Sequence, residues 1–269
     1  MTNQGRRLDE WEMREQICEV GRRVWQREYI ASNDGNISVR LDDDKVLCTP
    51  TLVSKGFMKP DDLALVTLDG KQVGGRLPMT SEVKVHLEMY RQRGDARAVV
   101  HVHPPHATAF AVARQPVPKC ILPEIEVFLG EIPVVPYATP GTQEFADAVI
   151  PFMEHHNAFL LTNHGALTVG ADPFECYYRM ETVEQYCKIL ILAKQIGDWT
   201  QIDPNKVMDL LRIRQKLGHK DRRVLQDAEL CSYGVPGEQC AAAREGADGD
   251  KAFIEEVVRR VVERLKTRS

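Results

Sequence analysis

The stretch Ala98-Val99-Val100-His101-Val102-His103-Pro104-Pro105 constrains the fold more than any other. A run of small and β-branched apolar residues reads as a strand buried on both faces. The two prolines forbid its continuation, because proline lacks the N–H that a ladder needs. Side chains of a strand return to the same face at every second residue, so His101 and His103 stand side by side. Such a pair can close on one ion. By itself it leaves two readings open: half of a metal site, or two structural histidines satisfied by hydrogen bonds.

Around this strand, helical and extended patterns alternate. Residues 8–29 read as a helix, with Trp11, Ile17, Val20, Val24 and Trp25 near helical spacing. The turn signal Asn33-Asp34-Gly35-Asn36 leads into a strand from Ile37 to Leu41, and Lys45–Thr49 and Ala64–Thr67 read as two more. Pro78 and Thr80-Ser81-Glu82 open a helix running to about Arg93. Further helices are expected at 106–114, 142–155, 173–196 and 204–218, with strands at Ile132–Pro136, Ala158–Thr162 and Leu167–Val169. This order predicts an α/β protein, a three-layer α/β/α sandwich around a mixed, largely antiparallel central sheet.

The chain of 269 residues is 43% apolar and 28% charged, enough for a substantial core. A net charge of -4 gives no electrostatic footprint for nucleic acid. No apolar run approaches the ~20 residues that span a bilayer, and Met1–Glu10 lacks the apolar stretch of a signal peptide. Seven cysteines without a CxxC pair suggest no disulfide framework. The expected setting is the cytoplasm, with no membrane partner. Composition shifts after about residue 236, which divides the chain into a body (1–236), a Gly/Ala-rich linker (237–250) and an amphipathic helix (251–269). Phe253, Ile254, Val257, Val258, Val261, Val262 and Leu265 form that helix's apolar stripe, with Glu255/Arg259 and Glu256/Arg260 as favourable pairs.

A third imidazole stands in Asn163-His164-Gly165. Three histidines suit Zn2+ first, with other divalent transition metals as alternatives, and the absence of a neighbouring thiolate favours a catalytic over a structural ion. His86, His106, His155, His156 and His219 read as surface or packing residues, His106 being the nearest to the HxH pair.

His101-Val102-His103, Asn163-His164-Gly165 and the Ser81-Glu82 that opens a helix containing His86 together resemble the class II aldolase/adducin family. Gly35-Asn36-Ile37-Ser38, Thr49-Pro50-Thr51 and Pro136-Tyr137-Ala138-Thr139-Pro140-Gly141-Thr142 match that family in order, over about residues 8–236. The resemblance implies zinc on His101, His103 and His164, with Glu82 as catalytic base, its pKa raised in a partly dry pocket. Glu82 also suits a helix N-terminus. The resemblance further implies substrate phosphate on Asn33, Gly35, Asn36, Thr51, Thr80 and Ser81, and Tyr233 protonating an aldehyde oxygen. The activity implied is cleavage of a deoxyketose 1-phosphate, L-fuculose 1-phosphate first, in a homotetramer with sites between subunits. Glu82 speaks against the 4-epimerases of the family, which typically carry Asp there. A 5-deoxypentulose-1-phosphate aldolase and a non-catalytic adducin-like binding protein remain alternatives. Two positions depart from the aldolase pattern: Leu52 stands where glycine is usual, and Leu122 near where a tyrosine is found. Glu124 and Glu126 are placed to shape a site on an adjacent subunit. The 251–269 helix looks like the encapsulation peptides of bacterial microcompartment enzymes, which bind a shell protein; docking onto its own domain or another subunit is the alternative.

Overall fold

A computed structural model describes residues 9–219, 221 and 223. Tyr233, the linker and the 251–269 helix lie outside the described residues. Eight strands form one sheet: β1 (Asn36–Arg40), β2 (Lys45–Cys48), β3 (Ala64–Thr67), β4 (Gln72–Gly74), β5 (Ala98–Val102), β6 (Val134–Val135), β7 (Ala158–Leu161) and β8 (Gly165–Gly170). Their order is β4-β3-β2-β1-β5-β8-β7-β6. Every neighbouring pair is antiparallel except β6 and β7. The sheet is mixed and largely antiparallel, as expected.

Helices α1 (Glu10–Gln26), α3 (Pro105–Ala113) and α5 (Pro173–Ile196) cover one face; α2 (Val83–Gln92) and α4 (Gln143–Met153) cover the other. β5 shows why both layers are needed. All five of its residues are buried, with Ala98, Val100 and Val102 in the first core and Val99 in the second. His101 therefore points to the α2/α4 side by strand parity.

The helices start where their caps dictate. Thr142 Oγ1 accepts from the Phe145 amide at 3.2 Å, and Asp172 Oδ1 accepts from the Glu175 amide at 2.8 Å with Pro173 at the first helical position. α6 (Pro204–Lys216) packs against a single π turn, Ile125–Leu129. That turn and β4, a short edge strand closed by Gly74, carry too little periodicity to be read from sequence. Cys18, Cys48, Cys176 and Cys187 are free and buried, whereas Cys120 is disulfide-bonded, which the scattered cysteine spacing did not suggest. Among the described residues no helix is long and apolar enough to cross a membrane.

Candidate metal centre and substrate cavity

Antiparallel pairing sets Asn36 of β1 directly opposite His101 of β5. Two residues on, the amide of His103 is held by the Tyr29 carbonyl at 2.8 Å. His164 arrives from the β7–β8 turn, where Asn163 adopts a left-handed φ of 55°, a conformation asparagine tolerates better than most residues. Gly165 makes the approach close: a Cβ there would stand 2.4 Å from His103 Cδ2 and 2.6 Å from the Val102 carbonyl oxygen.

The three rings converge. His101 Nε2 lies 3.2 Å from His103 Nε2 and 3.2 Å from His164 Nε2. His101 Nδ1 donates to the Ala166 carbonyl at 2.9 Å, which leaves the Nε2 lone pair facing the other rings. Burial holds His101 well below the ordinary histidine range and lowers His103 as well. The shift favours the neutral imidazole, the form that ligates a metal. The set fits a divalent metal ion: three imidazoles with donor atoms within 4.8 Å of one another.

Glu82 completes the group from the N-cap of α2. Its carboxylate lies 3.2 Å from His101 Nε2 and 3.4 Å from His164 Nε2, and accepts from Asn36 Nδ2 at 3.0 Å. Burial alone would raise its pKa, but His101, His164 and the Asn36 amide outweigh that and hold the carboxyl well below the usual range. The direction is therefore downward, opposite to the raised pKa expected from the sequence.

Asn36 is itself held. Its Oδ1 lies 2.5 Å from His86 Nε2, His86 Nδ1 lies 2.7 Å from Ser38 Oγ, and Ser38 Oγ lies 2.7 Å from the Tyr90 hydroxyl. Glu82, His86 and Tyr90 recur at four-residue spacing on α2, while Asn36 and Ser38 share a face of β1. A helix stripe thus interlocks with a strand stripe through one polar chain. Burial lowers His86 to about 4, so it is neutral. His86 is a member of this chain, not a simple packing residue. Its spacing from Glu82 was the signal available in the sequence.

Beside the imidazoles lies a small cavity of about 130 Å³. Asn33, Gly35, Asn36, Thr51, Thr80 and Ser81 all line it, together with Glu82 and His103. Leu52 also lines it, with a φ of 58° and a side chain 80% exposed. Leucine therefore takes the left-handed backbone that glycine would adopt freely. Lys55 lines it too, and was missed in the sequence. A larger groove of about 460 Å³, lined by Phe110, Pro116, Leu190 and Trp199 among others, is mostly apolar and lies apart from the histidines.

Two neighbouring acidic positions turn out to be structural. His106 faces Glu184, whose carboxylate also accepts the His106 and Ala107 amides at the start of α3. Glu126 is buried, accepts from the Cys120 amide at 2.6 Å and pairs with Arg223 of its own chain. It does not face outward toward a neighbouring site.

A sheet with helices on both faces thus sets a histidine triad that could hold a divalent metal ion beside a carboxylate. The profile of the Class II Aldolase and Adducin N-terminal domain matches residues 15–191, and the chain belongs to that family. An L-fuculose phosphate aldolase of Methanocaldococcus jannaschii is 32% identical over 179 residues, covering 66% of this chain and 96% of the relative. A 3-oxo-tetronate 4-phosphate decarboxylase of Escherichia coli K12 is also 32% identical, over 193 residues, covering 70% of this chain and 89% of the relative. The solved structure of an L-fuculose 1-phosphate aldolase superposes with a TM-score of 0.71 at 27% identity, covering 77% of this chain and 98% of that one. The chain is thus a class II aldolase-family enzyme.

Proposed function

We propose that this enzyme is a zinc-dependent aldolase that cleaves a deoxyketose 1-phosphate, L-fuculose 1-phosphate first, to dihydroxyacetone phosphate and L-lactaldehyde. One observation carries the reading: the Glu82 carboxylate lies against three converging imidazoles, with a polar cavity adjoining them. His101, His103 and His164 would hold the zinc, which supplies Lewis-acid stabilisation of charge developing at the substrate carbonyl.

The chain's own groups divide the remaining work. Glu82 moves the proton at the carbon beside the carbonyl, giving it to that carbon in cleavage and removing it in the reverse condensation. Asn36 keeps that carboxylate aimed. The Asn33–Asn36 turn, Thr51, Thr80 and Ser81 bind the phosphate, with the start of α2 adding its partial positive charge. Tyr233 takes the proton from the hydroxyl that becomes the aldehyde carbonyl in cleavage, and returns it to that oxygen in the reverse condensation. The active form is a homotetramer, and residues 251–269 dock to a microcompartment shell protein. Deleting residues 246–269 should abolish co-purification with shell protein; unchanged co-purification would sink the docking.

Decarboxylation is the second reading, favoured by the relative named for it and by Leu122 standing near where aldolases carry a tyrosine. Loss of carbon dioxide from a 3-oxo-tetronate 4-phosphate also leaves dihydroxyacetone phosphate, but it needs no base to take a proton from a hydroxyl on the leaving group. Metal-replete enzyme should release dihydroxyacetone phosphate with stoichiometric L-lactaldehyde from L-fuculose 1-phosphate. Release of carbon dioxide from the oxo-acid phosphate, with no aldehyde from any ketose 1-phosphate, would replace the first reading by the second.

A further inference from the structure

Lys55 opens the short 3-10 turn Lys55–Phe57 and is only 2% exposed. Lysine is rarely buried so fully without a counter-charge. Its Nζ donates to the carbonyls of Asn33 at 2.6 Å and Val53 at 2.8 Å. Both partners are neutral dipoles, and an ammonium has three protons to give. Among the described residues no carboxylate forms an ion pair with it, although Asp34 and Glu82 act on it from a distance. Burial pulls it down to about 8, so it remains largely cationic at neutral pH.

The cavity it lines explains why such a charge is there. Among the described lining residues Lys55 is the only lysine or arginine, and two carboxylates, Asp34 and Glu82, line the same space. A phosphate dianion entering there meets repulsion from both. The hydroxyls and amides of Asn33, Asn36, Thr51, Thr80 and Ser81 orient it but carry no net charge. We propose that Lys55 forms a direct ion pair with the substrate's phosphate and is the residue that makes this cavity selective for a phosphorylated substrate. The proposal rests on the reading of the cavity as a phosphate site.

The competing role is a staple, since Lys55 also ties the Asn33 turn to Val53. Lys55→Gln separates the two roles: its amide keeps two donors for those carbonyls and removes the charge. Calorimetric titration of inorganic phosphate into metal-loaded protein should show affinity falling roughly 10- to 100-fold in Lys55→Gln, with zinc stoichiometry unchanged. Lys55→Arg should restore most of it. Phosphate binding by Lys55→Gln equal to that of the unaltered protein would overturn the proposal, as would a failure of the unaltered protein to bind phosphate. If Lys55→Gln does not fold, the Lys55 ammonium resonance of the unaltered protein serves instead. It must shift on adding phosphate; an unmoved resonance rejects the ion pair. Phosphate binding with no turnover of any ketose phosphate would reject the function proposed above and leave Lys55 standing. Turnover with an unchanged KM in Lys55→Gln would reject Lys55 alone.

Discussion

Glu82 is held by interactions of different kinds: the two imidazoles on one side and the Asn36 amide on the other. Glu82→Gln preserves the shape and one acceptor while removing the base. It should keep the metal and lose about 10²- to 10⁴-fold in turnover; near-normal kcat would refute its role. His86 acts one bond further out. His86→Leu leaves Asn36 Oδ1 and Ser38 Oγ without their buried partner, so Asn36 no longer aims its N–H at Glu82. We expect kcat to fall roughly 10- to 100-fold with zinc content intact, measured by steady-state kinetics beside metal analysis. An unchanged kcat would show that Asn36 is held by other means. His101, His103 and His164, which could hold a metal ion, were legible because they stand in short motifs. His86 and Lys55 were not, since their partners, Asn36, Ser38 and the Asn33 carbonyl, lie 22 to 50 residues away along the chain. The depressed pKa of Glu82 escaped for the same reason: its causes lie on three separate elements.

At the scale of elements, the β7–β8 hairpin decides whether a third ligand exists. Gly165→Ala would force its Cβ onto the Val102 carbonyl oxygen and the His103 ring. It should cut zinc stoichiometry sharply, read by metal analysis of purified protein; full zinc loading would contradict the tight packing. Leu52 offers a change of opposite sign. Its left-handed φ costs about 1 kcal/mol, and its exposed side chain buries little. Leu52→Gly should therefore raise stability or leave it unchanged in denaturant unfolding. The loop before β6 supplies a pH test. Glu131 faces His156 and Lys119, and His156 chiefly pulls its carboxyl down from 4.5 to about 2. A carboxylate with a lowered folded pKa adds stability above its unfolded pKa and loses it as pH falls. Glu131→Gln should flatten the stability profile between about pH 4.5 and 2; an unchanged slope would contradict the pairing. α5 coincides with the span expected from sequence, bounded by the Asp172 cap with Pro173 at one end and by Gly197 at the other. β4 was not legible, because three edge residues carry no pattern of their own.

For the whole molecule, the two apolar cores on either side of the sheet do not include the imidazoles. Chelation should leave far-UV circular dichroism unchanged while lowering Tm by roughly 8–16 °C from a state with metal at 1,000 times its Kd. Loss of secondary structure on chelation would mean that the ion is structural. The layered fold was legible in the alternation of strands and helices; the substrate was not, because the aldolase and decarboxylase relatives resemble this chain equally at 32% identity. Both reactions share a product, which allows one direct measurement. A coupled assay follows dihydroxyacetone phosphate release from L-fuculose 1-phosphate and 3-oxo-tetronate 4-phosphate, with zinc-replete and with chelated enzyme. Zinc-dependent release, foremost from L-fuculose 1-phosphate and abolished in Glu82→Gln, is the expected result. Release that survives both chelation and Glu82→Gln, or no release from either substrate, would contradict it.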